Sequence, residues 1–511
     1  MTASTQRKMG VFLQYGQMAI HAVISIIYTP IMLRILGSTE YGIYNLASSI
    51  IGYLSLLSLG FGGSYLRFYS RLKKSDDYDG IKRLNGLYLT VFLIMGLVVF
   101  LAGLFISNNV EIFYNDSYSA GEIEIARTLS FVLTINLAIS FPASVFVSYI
   151  TSQERFVFQK VLNMGKSIMS PIACIIFLYF GYGSIGMVLC TTFLSLIIDV
   201  INIYYCFSRC KMKISFKHMD WSLLKSIAVF SFFIAINQII DQINWQTDKI
   251  ILGKMMTGTA VAVYAIGSIL NNLFTQFSIA ISGVFSPKVN MIVSKNDKNA
   301  DKQLTSLFIR VGRVQWFVLF LILSGFVFFG KYFIYRWAGP GYEKSYYVAI
   351  LLMAPAIVPL IQNVGIEIQT AKNKHQFRSI VYFFMALINV GISIIFCSFW
   401  GEIGTAFGTT IALLVANGLI MNVYYYKKLK INTIEFWKSI ISTFPSLLVP
   451  VIAGIFLMSF YSFNSLFDFV LVVICYSLVY CFCVYYFGLN KEEKNIIKVF
   501  VDKRFRRVSR L

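Results

Sequence analysis

The chain has 511 residues, of which 57% are hydrophobic, 16% aromatic and only 13% charged, with a mean hydropathy of +0.71. Charged residues make up roughly a quarter of an ordinary soluble chain; half that share cannot cover a globule of this size, which excludes a soluble protein. The formal charge of +21, from 44 Lys+Arg against 23 Asp+Glu, leaves nucleic acid and a membrane surface as partners, and the apolar runs decide for the membrane.

A spanning helix needs about 20 mostly apolar residues to cross a hydrocarbon core about 30 Å thick. Hydropathy with Lys/Arg flanks predicts about fourteen such runs: 11–33, 43–66, 86–107, 125–149, 161–181, 184–207, 226–246, 260–284, 314–335, 346–369, 377–399, 403–425, 440–461 and 466–488. The first is too long, and lacks the small-residue cleavage site, to be a removable signal peptide. The longest gap, near 285–313, reads as a loop or a surface helix. The expected fold is an all-α polytopic membrane protein with no sizeable aqueous domain. Eight cysteines (Cys174, Cys190, Cys206, Cys210, Cys397, Cys475, Cys481 and Cys483) lie in or beside the spans without a C-x-x-C pair, and are read as packing thiols.

Basic residues near short loops set topology. With a cytosolic N-terminus, 37 of the 44 fall in cytosolic segments, leaving Arg34, Arg127, Lys249, Lys254, Lys331, Arg336 and Lys344 elsewhere. That alternation supports an even number of spans with both termini in the cytosol. The excess is spread over eight separate segments, so nucleic acid is not an expected partner.

The chain also repeats itself. Gly183-Ser-Ile-Gly186 with Thr191-Thr192 and Leu196 recurs as Gly401-Glu-Ile-Gly404 with Thr409-Thr410 and Leu414, a shift of 218. Arg34-Ile-Leu-Gly37 with Tyr44 resembles Lys249-Ile-Ile-Leu-Gly253 with Tyr264, and Pro142 and Thr151 correspond to Pro359 and Thr370. Six spans separate the copies, so both enter the membrane the same way, as parallel repeats do. The expected organisation is a six-helix bundle at 1–210, a second at 211–430, an appended helix pair at 431–490 and a basic cytosolic tail at 491–511. Two bundles of this kind suit a transporter with its substrate near the repeat interface; a structural or enzymatic membrane scaffold is the other reading.

Polar groups inside spans are costly and usually face a cavity. Span 7 carries Asn237, Asp241, Asn244 and Asp248 at i, i+4, i+7 and i+11, one face of a helix, with Gln238 and Lys249 beside them. Span 1 carries Gln14, Gln17, His21, Ser25 and Tyr28, and a shift of 216 sets His21 on Asn237 and Ser25 on Asp241. Both stripes suit a shared hydrophilic cavity, or hydrogen bonding that only holds helices together. His21 reads as a proton carrier or as a structural donor. Asp199, Asp241 and Glu367 are the candidates for coupling to H⁺ or Na⁺, with structural hydrogen bonding as the alternative. Arg34, Arg127 and Lys249 end spans on the non-cytosolic side, where they either meet an anionic group or snorkel to the interface. Met164-Gly165-Lys166-Ser167 lacks the first glycine of a P-loop, since Lys160 stands there. No zinc pattern and no G-x-S-x-G is present either, so neither an enzyme nor a metal or other cofactor is expected.

The stretch Pro30-Ile-Met-Leu-Arg-Ile-Leu-Gly-Ser-Thr-Glu-Tyr-Gly-Ile-Tyr44, followed by Leu56-Leu-Ser-Leu-Gly60 and Arg67, resembles the opening of the bacterial polysaccharide-exporter (Wzx-type) flippases. Their superfamily includes multidrug and toxin extruders and lipid II flippases. Asn244-Trp-Gln-Thr-Asp-Lys-Ile-Ile-Leu-Gly253 with Tyr264 resembles the corresponding second-half pattern. The resemblance implies a multi-pass protein of the bacterial cytoplasmic (inner) membrane. It would move undecaprenyl-diphosphate-linked oligosaccharide from the cytosolic to the outer leaflet by alternating access, for O-antigen, capsule or a similar glycan, beside a polymerase and glycosyltransferases. Arg34 and Lys249 match basic positions of the family. Two other readings remain: an H⁺- or Na⁺-coupled exporter of small amphipathic compounds, and a membrane glycosyltransferase or polymerase.

Overall fold

In lipid every backbone N–H and C=O must be satisfied within the protein; the fourteen apolar segments fall mostly in helix, with 43–66, 346–369 and 440–461 running across breaks between helices. The computed structural model describes residues 3–495 other than 59, 218–220, 296, 298, 375, 461–462 and 464. The expected basic tail therefore lies outside the described residues beyond position 495. In chain order the helices are α1 (Ala3–Tyr53), α2 (Phe61–Lys74), α3 (Tyr78–Asn108), α4 (Ala120–Ser152), α5 (Phe156–Tyr179) and α6 (Gly183–Ser208). Then come α7 (Trp221–Met255), α8 (Gly258–Gly283), α9 (Ser286–Lys295), α10 (Ala300–Trp337), α11 (Ser345–Ile361) and α12 (Asn363–Ala371). The last are α13 (Gln376–Leu413), α14 (Asn422–Leu429), α15 (Thr433–Ile441), α16 (Phe444–Phe460) and α17 (Leu466–Cys483). No strand is present among the described residues.

By length and composition nine helical runs among the described residues can cross a membrane, or eleven when two bent pairs, α11 with α12 (44°) and α15 with α16 (42°), each count as one. Two of the nine are hairpins. Gly401 breaks α13 at φ 57, ψ −132, and its two arms pair antiparallel: Asn389 Nδ2 lies 3.3 Å from Thr409 Oγ1, Ser393 Oγ donates to the Thr405 carbonyl at 3.2 Å, and Phe396 meets Phe407 edge-on. Gly37 breaks α1 at φ 76, ψ 174, and Tyr28 comes within electrostatic reach of Tyr44. A straight helix would hold those two residues about 24 Å apart. The 285–313 gap holds the surface helix α9, and α10 starts at Ala300, ahead of the expected boundary.

The repeat read from the sequence has a backbone counterpart. Gly183 and Gly401, 218 positions apart, both take positive φ (56° and 57°) at the entry to a helix, where a Cβ is penalised. At Gly183 the missing Cβ also admits Glu40 Oε1, which accepts from the Ser184 amide at 2.6 Å.

The chain forms two compact units. The first comprises the described residues of Met1–Ser268, Ala338–Val348 and Ser379–Ala412. Its core gathers Tyr65, Leu84, Tyr88, Val99, Ile150 and Cys206. Ser231 Oγ donates to Ser64 Oγ (3.1 Å), which pairs with the Tyr88 hydroxyl (2.7 Å). At the opposite end of α7, Ser49 Oγ donates to Gln246 Oε1 at 2.9 Å and the Tyr53 and Thr247 hydroxyls pair. Nearby the backbones of Gly42 and Gly258 touch: a Cβ on Gly42 would lie 1.8 Å from the Gly258 carbonyl oxygen.

The second unit comprises the described residues of Ile269–Trp337, Ala349–Arg378 and those from Leu413 onward. Its best-satisfied charge is Arg313 on α10, whose side chain is 8% exposed. Its guanidinium donates to Glu493 Oε1 (2.7 Å) and Oε2 (3.0 Å), to the Ser439 carbonyl (2.9 Å) and to the Gly488 carbonyl (2.8 Å). Glu493 Oε2 also accepts from the Asn490 amide at 2.9 Å, and Asn490 Oδ1 from the Glu493 amide. One side chain thus ties α15 and the chain after α17 to α10. Between α16 and α17 runs an apolar groove of about 550 Å³, lined by Val449, Ile452, Phe456, Cys475, Tyr476 and Val479 among others.

Candidate functional site

Helix α7 extends past the expected 226–246 at both ends, so Asp248 and Lys249 lie within it. The polar stripe divides along its length. Asn237, Gln238 and Asp241 are exposed, Asn244 is half-buried and Asp248 is 2% exposed. Three helical turns of 3.6 residues keep positions 237 to 248 nearly on one face, so their neighbours set the difference. At Asp248, α8 and the α13 hairpin close over the helix: the Tyr264 hydroxyl and Thr409 Oγ1 (2.8 Å) both donate to Asp248 Oδ2. Asn389 and Ser393 continue this network at 3.2–3.4 Å. Asn237 Oδ1 accepts from Ser379 Oγ at 2.8 Å, again on α13. Both ends of the stripe are therefore held by the hairpin, and the exposed polar surface between them is Gln238 and Asp241.

The other candidates are spread over several elements. On the first arm of α1, Gln17 is half-buried and His21 exposed; among the described residues no hydrogen bond joins either to α7. Arg34 is exposed at the end of that arm. Arg127 is ion-paired to Glu111 at 3.0 Å, both exposed, so its charge already has an answer within the chain. Lys249 Nζ donates to Gln246 Oε1 at 3.4 Å. Asp199 on α6 is half-buried within reach of the Lys166 charge, and Lys166 donates to Ser195 Oγ at 2.9 Å one turn earlier. Glu367 on α12 accepts from Ser286 Oγ, the first residue of α9, at 2.7 Å. Asp199 and Asp241 belong to the first unit and Glu367 to the second.

Sequence reasoning passed over the residues that answer these groups. Thr409 was visible only as a repeat marker, while Asn389, a lone amide in an apolar run, was a usable signal. In the second unit the polar run around Glu367 has partners that sequence reasoning did not name. Asn422 Oδ1 accepts from Gln362 Nε2 (2.9 Å) and Trp437 Nε1 (2.8 Å), and Ser278 Oγ accepts from Gln315 Nε2 (2.8 Å) and Asn363 Nδ2 (2.9 Å).

The chain is similar to several known proteins. Over 509 residues the chain is 21% identical to an uncharacterized membrane protein, EpsK, of Bacillus subtilis (strain 168), covering 95% of each chain. It is 22% identical over 334 residues to a putative O-antigen transporter of Shigella flexneri, covering 64% of this chain and 75% of that one. Among solved structures, the lipid II flippase MurJ in an inward closed conformation superposes with a TM-score of 0.70 at 15% identity, over 93% of this chain and 97% of that one. An inward-facing MATE-family multidrug resistance transporter gives 0.62 at 12% identity, over 82% and 99%. The fold is thus one that membrane transporters use. Residues 10–293, more than half of the chain, match the family model described as "Polysaccharide biosynthesis protein", and the chain belongs to that family.

Proposed function

We propose that the protein is a flippase, not an enzyme, that moves a lipid-linked oligosaccharide from the cytosolic to the outer leaflet of the bacterial cytoplasmic membrane for surface-polysaccharide assembly. The observation that carries this reading is the family match together with the exposed polar segment of α7. Gln238 and Asp241 are exposed mid-helix in a membrane protein, where polar groups are costly against lipid and usually face a cavity. Hydroxyls of a saccharide are natural partners for an amide and a carboxylate. The similarity to a putative O-antigen transporter supports the substrate class.

In this reading Gln238, Asp241 and Asn244 contact the sugar, Gln17 and His21 extend the polar surface, and Arg34 and Lys249 attract the diphosphate. Asp248 and Asn237 act as positioning residues that fix α7 against α13. Coupling to H⁺ or Na⁺ falls to Asp241, with Asp199 and Glu367 as lesser candidates. The polymerase and glycosyltransferases of the same glycan are the expected partners, and both termini face the cytosol. The decisive experiment is a deletion strain: lipid-linked repeat units should accumulate and surface glycan should vanish, both reversed by this chain alone. Normal surface glycan in the deletion strain ends the proposal. Ion-driven dye efflux from vesicles would replace it with a small-molecule exporter.

A further inference from the structure

Helix α9 and the first turns of α10 form a groove of about 390 Å³ within the second unit. Lys288 and Lys295 line it from α9 and Lys302 and Arg310 from α10, together with neutral donors such as Asn299 and Gln303 and no carboxylate. All four cations are exposed, and among the described residues no hydrogen bond or ion pair engages them. Three other cations of the same unit are engaged within the chain: Lys372 pairs with Asp301 at 2.7 Å, Lys374 donates to the Lys428 carbonyl and Arg313 is paired with Glu493. Orienting the chain in a membrane requires positive charge on one side of the spans. It does not require four cations converging on one concavity.

The rest of α9 says where this concavity lies. Val289 and Ile292 anchor the helix in the unit, while Met291 (52% exposed) and, just before the helix, Val284 (62%) present apolar surface outward. A short helix with lysines beside exposed apolar groups is built to lie in the membrane interface. The volume falls in the range of small-ligand pockets. We propose that the α9–α10 groove binds the phosphate-bearing headgroup of a membrane lipid. Lys288, Lys295, Lys302 and Arg310 answer the phosphate oxygens, and Met291 lies against the start of the lipid tail. Two sources carry that chemistry, an anionic glycerophospholipid and a polyprenyl diphosphate. The site stands whether or not the chain flips a saccharide.

Calorimetric titration of the full chain in neutral detergent tests this. The ligands are dioctanoyl phosphatidylglycerol, farnesyl diphosphate, dioctanoyl phosphatidylcholine and inorganic phosphate. One of the first two should bind, and the tighter identifies the source. Replacing all four cations by Gln should weaken it at least tenfold. The same charge change at the exposed Lys73, Lys74, Lys211 and Lys213 of the first unit should leave affinity within about twofold. Equal loss in both variants, equal binding of phosphatidylcholine, or inorganic phosphate binding as tightly as either lipid overturns the site. Should the quadruple variant fail to fold, Lys295→Gln with Lys302→Gln serves in its place, and unchanged affinity there overturns it as well.

Discussion

Arg313 and Glu493 are 180 residues apart in the chain and form a buried ion pair with side chains 8% and 5% exposed. Removing one member of such a pair strands the other and costs about 3–5 kcal/mol. The hydrogen bonds divide that range between the two. Glu493→Ala leaves the guanidinium its two carbonyls at Ser439 and Gly488, so a cost of about 3 kcal/mol is expected, at the lower end. Arg313→Ala removes every donor at once and leaves a buried carboxylate with the Asn490 amide for company, so about 5 kcal/mol is expected. In the double variant no charge is stranded, and the coupling should be about 2–3 kcal/mol. Unfolding of the purified protein in mixed micelles, titrated with SDS, gives the four free energies. Amide exchange should accelerate first across residues 484–495. Additive single variants, with coupling near zero, would falsify the account of the pair as a lock on the last helices.

Three further outcomes follow from the first unit. Gly42→Ala should fail to pack, because its methyl group would lie 1.8 Å from the Gly258 carbonyl oxygen, whereas Gly62→Ala meets nothing within 4 Å and should stabilise α2 by about 0.5–1 kcal/mol; thermal unfolding of the two separates close approach from helix propensity. Asp248→Leu strands the Tyr264 and Thr409 hydroxyls at about 1–3 kcal/mol each, while Asp248→Asn keeps an acceptor and should lose far less; equal losses in the SDS titration would point to charge rather than hydrogen bonding. Asp241→Asn should abolish restoration of surface glycan in the deletion strain, and full restoration would remove Asp241 from the proposed substrate contacts.

The repeat was legible because the backbone demands particular residues. A positive φ at Gly183 and Gly401 leaves only glycine comfortable, so both copies kept it and the shift of 218 showed through. The spans were legible because apolar length is imposed by the bilayer. What covers a polar face is a different matter. The stripe on α7 gave its own direction by period alone, yet period cannot tell that α13 closes over Asp248 while Asp241 is exposed, because the closing residues, Thr409 and Asn389, lie more than a hundred positions downstream. Arg313 was hidden for a related reason. A basic residue at the cation-rich end of a span looks like every other topology charge until its partner, Glu493, is brought beside it.

The contact between Gly42 and Gly258 bears on which substitutions this seam tolerates. Two backbones that touch leave no room for a side chain on Gly42, and at Gly258 a Cβ would lie 2.9 Å from the Thr39 carbonyl oxygen. A change at one position cannot be absorbed by a compensating change at the other, since glycine is already the smallest residue. The seam between α1 and the start of α8 therefore admits one residue type on each side, whatever the polar surface of α7 becomes.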